Sequence, residues 1–298
     1  MMTCGKLLLP LVQLMKKDLL SEKYLQADET KLQVLSEKGR LSTSKSYMWL
    51  YKTVGTENLK IVYDYSPSRS ASTATDFLQG FEGWLQSDAY SGYKRVSKDS
   101  GGKIRNVFCW AHARRKFADI VKSSSKATVS AEAIVKIKKL YKIEKDAREQ
   151  NLGPDNVEIL RQEKSKPLLK DLKTWLEIQQ RRTPPKGVLG KAIGYSLRHW
   201  EELTRYIEDG RLEIDNNGAE RCIKPFVIGR KNWLFVGNAR GAEAGAVLYS
   251  LIETCKSNGI NPFEYISDVL QKIVKKDLSD EDLKKLLPYH WKEPVSNA

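Results

Sequence analysis

The sequence has few of the residues that bind soft metal ions. It contains three histidines and four cysteines, and none of the cysteines stands in a C-x-x-C pair: Cys4, Cys109, Cys222 and Cys255. Zinc fingers and zinc ribbons need such pairs, so the sequence argues against that class of site. Any metal ion here is expected to be bound by oxygen atoms, which favours a hard ion such as Mg²⁺.

The sequence also lacks an apolar run long enough to cross a bilayer. Near the start, the longest run (7–15) is interrupted by Gln13 and followed by Lys16 and Lys17. A transmembrane helix needs about 20 mostly apolar residues, and no small-residue cleavage pattern of a secretory signal follows the run. We interpret it as an amphipathic helix and expect a cytoplasmic protein without a membrane partner.

Acidic residues are too few to balance the basic ones. Lysine and arginine number 51 against 37 acids, which gives a net charge of +14 over 298 residues. A positive field of this size favours polyanionic partners, and nucleic acid is the commonest of them. Ribosomal, membrane-surface and heparin-binding proteins share such a charge, so charge alone leaves the partner open.

Short apolar runs separated by turn residues fill the first part of the chain, a pattern typical of strands. Four runs predict an antiparallel meander: 24–27, 31–35, 47–52 and 59–65. The pattern then predicts a helix at 70–78, a strand at 83–87, an apolar run at 104–110 and a basic helix at 111–122.

From residue 119 to residue 210 the pattern changes to helical spacing without a strand signal. We interpret this stretch as an insertion into an α/β core. The chain is then divided into an N-terminal helix (1–22), a first core part (23–118), the insertion (119–210), a second core part (211–258) and a C-terminal helical tail (259–298).

Helix signals recur after the insertion. Glu220 falls in the first turn of a short helix that Pro225 is expected to end or kink. Residues 233–236 are expected to be extended. A helix at 241–258 is closed by Gly259, and Pro262 suits the first residue of the next helix.

Three acidic residues stand at the edges of these predicted elements. Asp28 follows the first strand, Asp88 follows a later strand, and Glu220 opens a helix. Carboxylates brought together at one rim of a sheet repel one another, and two Mg²⁺ ions about 3.5–4 Å apart would relieve that repulsion. An aspartate after a strand is more often a solvated turn residue, so spacing alone leaves both interpretations open.

Four sequence blocks surround these acids. They are QADET at 26–30, LQSDAYSGY at 85–93, CWAHARRKF at 109–117, and DNNGAER at 215–221, which continues to GRKNWLF at 229–235. In this order they resemble the blocks of the insertion-sequence sixty-six transposase family, and the resemblance runs from about residue 8 to residue 291. Four separate blocks in the order of the family make the resemblance specific.

The resemblance implies a DDE catalytic core with an α/β, ribonuclease-H-like mixed sheet flanked by helices. The helical insertion interrupts this core before its last catalytic acid. Asp28, Asp88 and Glu220 would be both the catalytic residues and the ligands of two Mg²⁺ ions, for which Mn²⁺ is expected to substitute. The implied reaction is cleavage of DNA at the ends of an insertion sequence, followed by attack of the freed 3′-hydroxyl on target DNA.

The implied partners are the element ends and the target duplex. A homodimer on paired ends, helper proteins of the same element and a location on the bacterial nucleoid follow from the resemblance alone.

Basic residues near the blocks are candidates for DNA contacts, because each cation that meets a phosphate adds affinity through counterion release. They are Arg69, His112, Arg114, Arg115, Lys116, Arg221, Lys224, Arg230 and Lys231. For the residues of the 111–122 helix, a solvated basic helix is an equal alternative. For Arg69, a plain turn arginine is as plausible.

One departure from the family concerns the start of the chain. Members usually carry a long N-terminal region with a cysteine-containing zinc-binding segment, whereas 27 residues precede Asp28 here. Transposases generally recognise element ends through such added domains. The alternative to an active core is therefore a truncated, transposition-deficient remnant that retains nonspecific DNA binding. A ribonuclease-H-like nuclease of another kind ranks behind both.

Overall fold

The structure, a computed structural model, describes residues 1–124, 127–275 and 278–293. The chain forms two compact units. The first, which we call the sheet unit, consists of Met1–Leu85, Ser91–Arg105 and Gly218–Ala298. The second, the helical unit, consists of Gln86–Tyr90 and Asn106–Asn217. The chain therefore enters and leaves the helical unit twice.

Strands in the described residues form one mixed sheet of six. They are β1 (Tyr24–Ser36), β2 (Lys45–Thr53), β3 (Ile61–Ser66), β4 (Gly83–Ser87), β5 (Ile104–Phe108) and β6 (Val236–Asn238). The order is β3-β2-β1-β4-β5, with β6 beside β1. β2 is antiparallel to β1 and to β3, whereas β6 is parallel to β1. The predicted α/β class with a mixed sheet is confirmed, and the arrangement is consistent with a ribonuclease-H-like fold.

The meander β1-β2-β3 was predicted, but the break predicted inside its first strand is wrong. β1 runs for 13 residues through the polar sequence Asp28-Glu29-Thr30. Its pairing with β2 continues across that sequence, with Asp28 opposite Leu50 and Thr30 opposite Met48. Backbone hydrogen bonds in a ladder do not depend on side-chain polarity, so a short polar stretch need not interrupt a strand. Asp28 therefore lies within a strand and not at its end.

Three groups of helices complete the sheet unit. They are α1 (Met2–Leu20), then α2 (Ala71–Phe77) and α3 (Ser91–Asp99), and finally α10 (Asn217–Trp233), α11 (Ala239–Ser257), α12 (Pro262–Lys275) and α13 (Asp280–Lys285). On one face of the sheet, Tyr51 stacks on Phe77 of α2 at 3.8 Å between ring centroids. On the other face, α10 and α11 bury apolar side chains against β1, β2 and β3. The sheet is thus covered on both faces.

Hydroxyl groups of α11 protect the edge strand β3. The N–H of Tyr63 donates to Ser250 Oγ at 2.8 Å, and the N–H of Ile61 donates to Thr254 Oγ1 at 3.1 Å. Thr254 Oγ1 donates in turn to the carbonyl of Ile61. An exposed edge would offer these backbone groups to another chain, so α11 blocks strand addition at this position.

The amphipathic interpretation of the first helix is confirmed. α1 buries Leu8, Leu11, Met15 and Leu19. It approaches α11 so closely that a Cβ on Gly5 would lie 2.6 Å from the Cβ of Ala244. Among the helices of the described residues, none has the length and apolar character needed to span a membrane.

The helix that carries Glu220 is longer than predicted. α10 has 17 residues and continues through Pro225 to Trp233. A proline inside a helix removes one backbone hydrogen bond but does not end a helix that packing holds in place. The next prediction is confirmed, since α11 is followed by Gly259 at φ +73° and α12 begins at Pro262.

The described residues of the 119–210 stretch contain helices and no strand, as predicted. The α-helices of the helical unit are α4 (Trp110–Ser123), α5 (Thr128–Glu149), α6 (Pro154–Leu160), α7 (Lys166–Arg182), α8 (Val188–Arg198) and α9 (Trp200–Thr204). A π-helical turn, Arg161–Ser165, joins α6 to α7.

A buried ion pair stands at the centre of the helical unit. Arg161 Nε and Nη2 donate to Glu144 at 2.9 and 2.6 Å. The same guanidinium also donates to the carbonyls of Tyr206, Asp209 and Leu212. The guanidinium therefore donates five hydrogen bonds. Such a full set of partners limits the desolvation penalty of burying the charge.

Candidate functional site

Asp28 lies at the fifth position of β1 and is half-buried. Its Oδ1 accepts the backbone N–H of Glu29 at 2.8 Å. Side chains alternate along a strand, so Asp28 shares a face with Gln26, Leu32 and Val34. Leu32 and Val34 belong to the apolar cluster that includes Ile223 of α10. Asp28 is therefore on the sheet face that α10 covers.

The start of α10 packs tightly against β1. A Cβ on Gly218 would lie 2.3 Å from Oε1 of the buried Gln26 and 3.2 Å from Nζ of Lys52. A residue larger than glycine would force the buried Gln26 side chain or the start of α10 to move.

The residue before Glu220 packs against the same face of the sheet. Ala219 lies in the apolar cluster with Leu50, and Leu50 is the cross-strand neighbour of Asp28. Glu220 follows in the first turn of α10 and is half-buried. The helix that carries Glu220 thus covers the sheet face on which Asp28 lies, and the roles of both acids stay predictions.

Asp88 belongs to the helical unit and directly follows β4. Its Oδ1 accepts the backbone N–H of Tyr90 at 2.9 Å, which fixes the carboxylate in a local turn. The pKa of the Tyr195 hydroxyl on α8 is raised, mainly by burial and in part by the negative charge of the nearby Asp88. Sequence reasoning missed Tyr195, because no motif or spacing links it to Asp88.

The residue after Asp28 has a different environment. The side chain of Glu29 is 3% exposed and forms an ion pair with Arg69. Arg69 Nε donates to Glu29 at 2.7 Å, and the hydroxyl of Tyr93 donates to it at 2.8 Å. Burial, followed by the charge of Glu29, raises the pKa of Tyr93. Arg69 therefore neutralises a buried acid, while its contact with DNA stays a prediction.

The predicted cations of α4 point in different directions. Arg114 and Arg115 are exposed and line a groove of the helical unit. Lys116 lies over the ring of Tyr195, 4.4 Å from its centroid, and His112 is half-buried. One basic stretch in the sequence therefore supplies two separate surfaces.

The predicted cations of α10 also differ in exposure. Arg221, Lys224 and Lys231 are exposed. Arg230 donates to Thr30 Oγ1 at 2.9 Å and to the carbonyl of Lys31, and burial lowers its pKa. Arg230 thus fixes the end of α10 to β1, whereas the other three are accessible to a polyanion.

The three predicted ligands offer carboxylate oxygens, and these suit Mg²⁺ or Mn²⁺ better than a soft ion. Glu29 is already held by Arg69 and Tyr93. The assignment of Asp28 as a metal ligand stays a prediction.

Comparison with known proteins gives a consistent result. The sequence matches a model described as the transposase IS66 family over residues 1–244, and a model of the IS66 C-terminal element over residues 250–289. Uncharacterized protein y4jD of Sinorhizobium fredii (strain NBRC 101917 / NGR234) is 36% identical over 275 residues, which cover 89% of this chain and 53% of that protein.

Uncharacterized protein y4hP of the same strain is 31% identical over 303 residues, which cover 96% of this chain and 54% of that protein. The chain spans about half the length of the curated relatives it matches. The two family models together cover most of the sequence, from the first block to the C-terminal region. The chain therefore belongs to the IS66 family of transposases, the insertion-sequence sixty-six family that its four sequence blocks resemble.

Proposed function

We propose that this chain carries out the metal-dependent cleavage and joining of DNA strands in transposition of an insertion sequence. The observation that supports this most directly is that α10, the helix that carries Glu220, packs against β1 on the sheet face where Asp28 lies. Asp88 joins them in the proposal as the third acid, on the basis of its sequence block.

In this proposal the three carboxylates hold two Mg²⁺ ions, with Mn²⁺ as a substitute. When bound, such ions activate the attacking oxygen and stabilise the leaving oxygen of a phosphodiester displacement. The protein contributes fixed positions for its charges. Asp28 is held within a paired strand, and Glu220 in a helix whose start packs closely on Gln26 through Gly218. Rigid placement of this kind is what charge-spread transition states require.

The ion pair of Glu29 with Arg69 supports the same assignment. Two adjacent ionised carboxylates repel each other, and each would raise the pKa of the other. Arg69 compensates the charge of Glu29, so the carboxylate next to Asp28 along the strand is neutralised. The exposed cations of α4 and α10 would contribute to DNA binding, since the net charge of +14 favours a polyanion.

Substitution of the acids tests the proposal. Asp28→Asn, Asp88→Asn and Glu220→Gln are nearly isosteric and remove one metal-binding charge each. We expect each to lower strand transfer of a pre-cut element end by more than about 100-fold in Mg²⁺ or Mn²⁺. Asp146→Asn serves as the control, because Asp146 is a half-buried carboxylate of α5 that pairs with Lys142 outside the sequence blocks.

A second readout does not depend on activity. Mn²⁺ should raise the melting temperature of the wild-type protein and of Asp146→Asn, because a ligand bound only by the folded state stabilises it. The three acid variants should lose that increase. Normal strand transfer in Asp88→Asn or Glu220→Gln would refute the assignment. DNA binding without joined products in the wild-type protein would favour a remnant that only binds DNA.

The partners in this proposal are the two element ends and the target duplex. Joining two ends calls for two catalytic sites, so we include a second copy of the chain, and helper proteins of the element. A DNA substrate also implies association with the bacterial nucleoid.

A further inference from the structure

A groove of about 460 Å³ lies between α4 and α5 of the helical unit. α4 contributes one continuous stripe to it: Ala111, Arg114, Arg115, Ala118, Asp119 and Lys122. These positions follow the i, i+3, i+4, i+7 spacing of a single helix face. The opposite stripe of α4, which includes Trp110, Ala113 and Phe117, is buried. The groove therefore uses one solvent-facing stripe of this helix.

α5 supplies the second wall through Lys138 and Tyr141. Sequence reasoning did not single out Lys138 or Lys122, because nothing in the sequence shows that these two lysines face the same groove. Both are exposed, and neither forms an ion pair within residues 1–124, 127–275 and 278–293. Two other lysines of α5 differ in this respect, since Lys142 pairs with Asp146 and Lys145 with Glu149.

The charge of the groove is positive. Four cations (Arg114, Arg115, Lys122 and Lys138) stand against two carboxylates, Asp119 and Asp215. Asp215 is 9% exposed and accepts hydrogen bonds from the backbone and side-chain nitrogens of Asn217. The charge that a ligand would meet is thus mainly that of the cations.

The shape of the groove suits an extended polyanion. Ala118 lies between the arginines and Lys122 on the α4 stripe, so a small side chain leaves space between the charges. With a rise of 1.5 Å per residue, Arg114 and Lys122 are separated by about 12 Å along the helix. One strand of a DNA duplex presents a phosphate about every 3.4 Å of its axis. The stripe can therefore follow several consecutive phosphates of one strand.

We propose that this groove binds the sugar–phosphate backbone of DNA, with Lys122 and Lys138 contacting phosphates from its two walls. The inference rests on the proposed function in taking DNA as the substrate. It adds a binding site in the helical unit, in which Lys122 and Lys138, both outside the sequence blocks, join the predicted Arg114 and Arg115.

Equilibrium binding of a fluorescently labelled duplex, measured by anisotropy in EDTA, tests this site without strand cleavage. The test variant is Lys122→Ala/Lys138→Ala. The matched control is Lys142→Ala/Lys145→Ala, which also removes two positive charges from the helical unit. We expect the groove variant to weaken binding at least about tenfold at 0.1 M salt. It should also reduce the slope of log affinity against log salt by about 2, since each lost phosphate contact removes about 0.9. The control should change affinity less than about twofold.

Equal losses in both double variants would overturn the proposal, because they would show an effect of total charge alone. An unchanged affinity of the groove variant would overturn it as well. Ala118→Glu provides a second variant that places a carboxylate in the groove and keeps good helix propensity, so it should fold and also bind DNA more weakly. Displacement of the duplex by polyglutamate at equal charge, dependent on Lys122 and Lys138, would assign the groove to an acidic protein instead.

The outcomes separate this inference from the proposed catalytic function. Groove-dependent binding together with no strand transfer by the wild-type protein would refute the catalytic proposal only. If the wild-type protein performs strand transfer at saturating DNA but both double variants bind DNA equally well, only the groove proposal is refuted.

Discussion

Asp64 on β3 is a carboxylate whose burial raises its pKa from 3.8 to about 6, against the opposing charge of Lys16. The folded protein therefore holds the Asp64 proton more tightly than the unfolded chain does. Between pH 4 and pH 6 the folded state binds more protons, so the free energy of unfolding falls as the pH rises through that window. The difference of about two pKa units corresponds to a loss of about 3 kcal/mol.

Asp64→Asn removes this titration. Chemical denaturation of both proteins at pH 4, 5, 6 and 7 should show the wild-type protein losing about 3 kcal/mol relative to the variant across the range. Asp146→Asn is a suitable control, because the side chain of Asp146 is 38% exposed and pairs with Lys142 on α5. A constant difference between wild type and Asp64→Asn at every pH would contradict the expectation.

At the scale of elements, the contact between α10 and β1 depends on Gly218. A methyl group there would meet Oε1 of the buried Gln26 at 2.3 Å. Overpacking of this kind costs about 1–3 kcal/mol. We expect Gly218→Ala to lower the free energy of unfolding by that amount and, by shifting the first turn that carries Glu220, to lower strand transfer more than tenfold.

Gly245→Ala is the matched control within the sheet unit. A Cβ at Gly245 of α11 has no neighbour within 4 Å among the described residues, so this substitution should gain helix propensity, up to about 1 kcal/mol. If Gly218→Ala were as stable and active as Gly245→Ala, close packing at the start of α10 could not be what positions Glu220.

The strands and helices differ in how far local sequence patterns predict them. The meander, the helix after it and the helix-ending Gly259 follow local rules and were predicted. The continuity of β1 through Asp28 was not, because pairing with β2 decides it and pairing partners lie outside a local window. The helix end expected at Pro225 was also a local prediction. Tertiary packing of Ile223 and Phe226 holds α10 beyond the proline.

At the scale of the whole molecule, sequence blocks identified the acids but not their surroundings. Asp28 and Glu220 were chosen from motifs, and in the structure the helix that carries Glu220 covers the sheet face of Asp28. The ion pair of Glu29 with Arg69 joins residues 40 positions apart, and the α4–α5 groove joins Lys122 to Lys138 across a connecting segment. Such contacts depend on how elements pack, and that packing is not encoded in any single stretch of the sequence.

The net charge of +14 gives a prediction for the molecule as a whole. The structure exposes seven cations on two surfaces: Arg114, Arg115, Lys122 and Lys138 in the groove, and Arg221, Lys224 and Lys231 on α10. If all seven meet phosphates, log affinity for duplex DNA should fall against log salt with a slope of about −6, at about 0.9 per contact. Arg221→Ala/Lys224→Ala and Lys122→Ala/Lys138→Ala should each reduce that slope by about 2, and the quadruple variant by about 4. If the wild-type slope is already as shallow as the slope expected for the quadruple variant, one of the two surfaces does not bind DNA. The double variant that leaves the slope unchanged then identifies that surface.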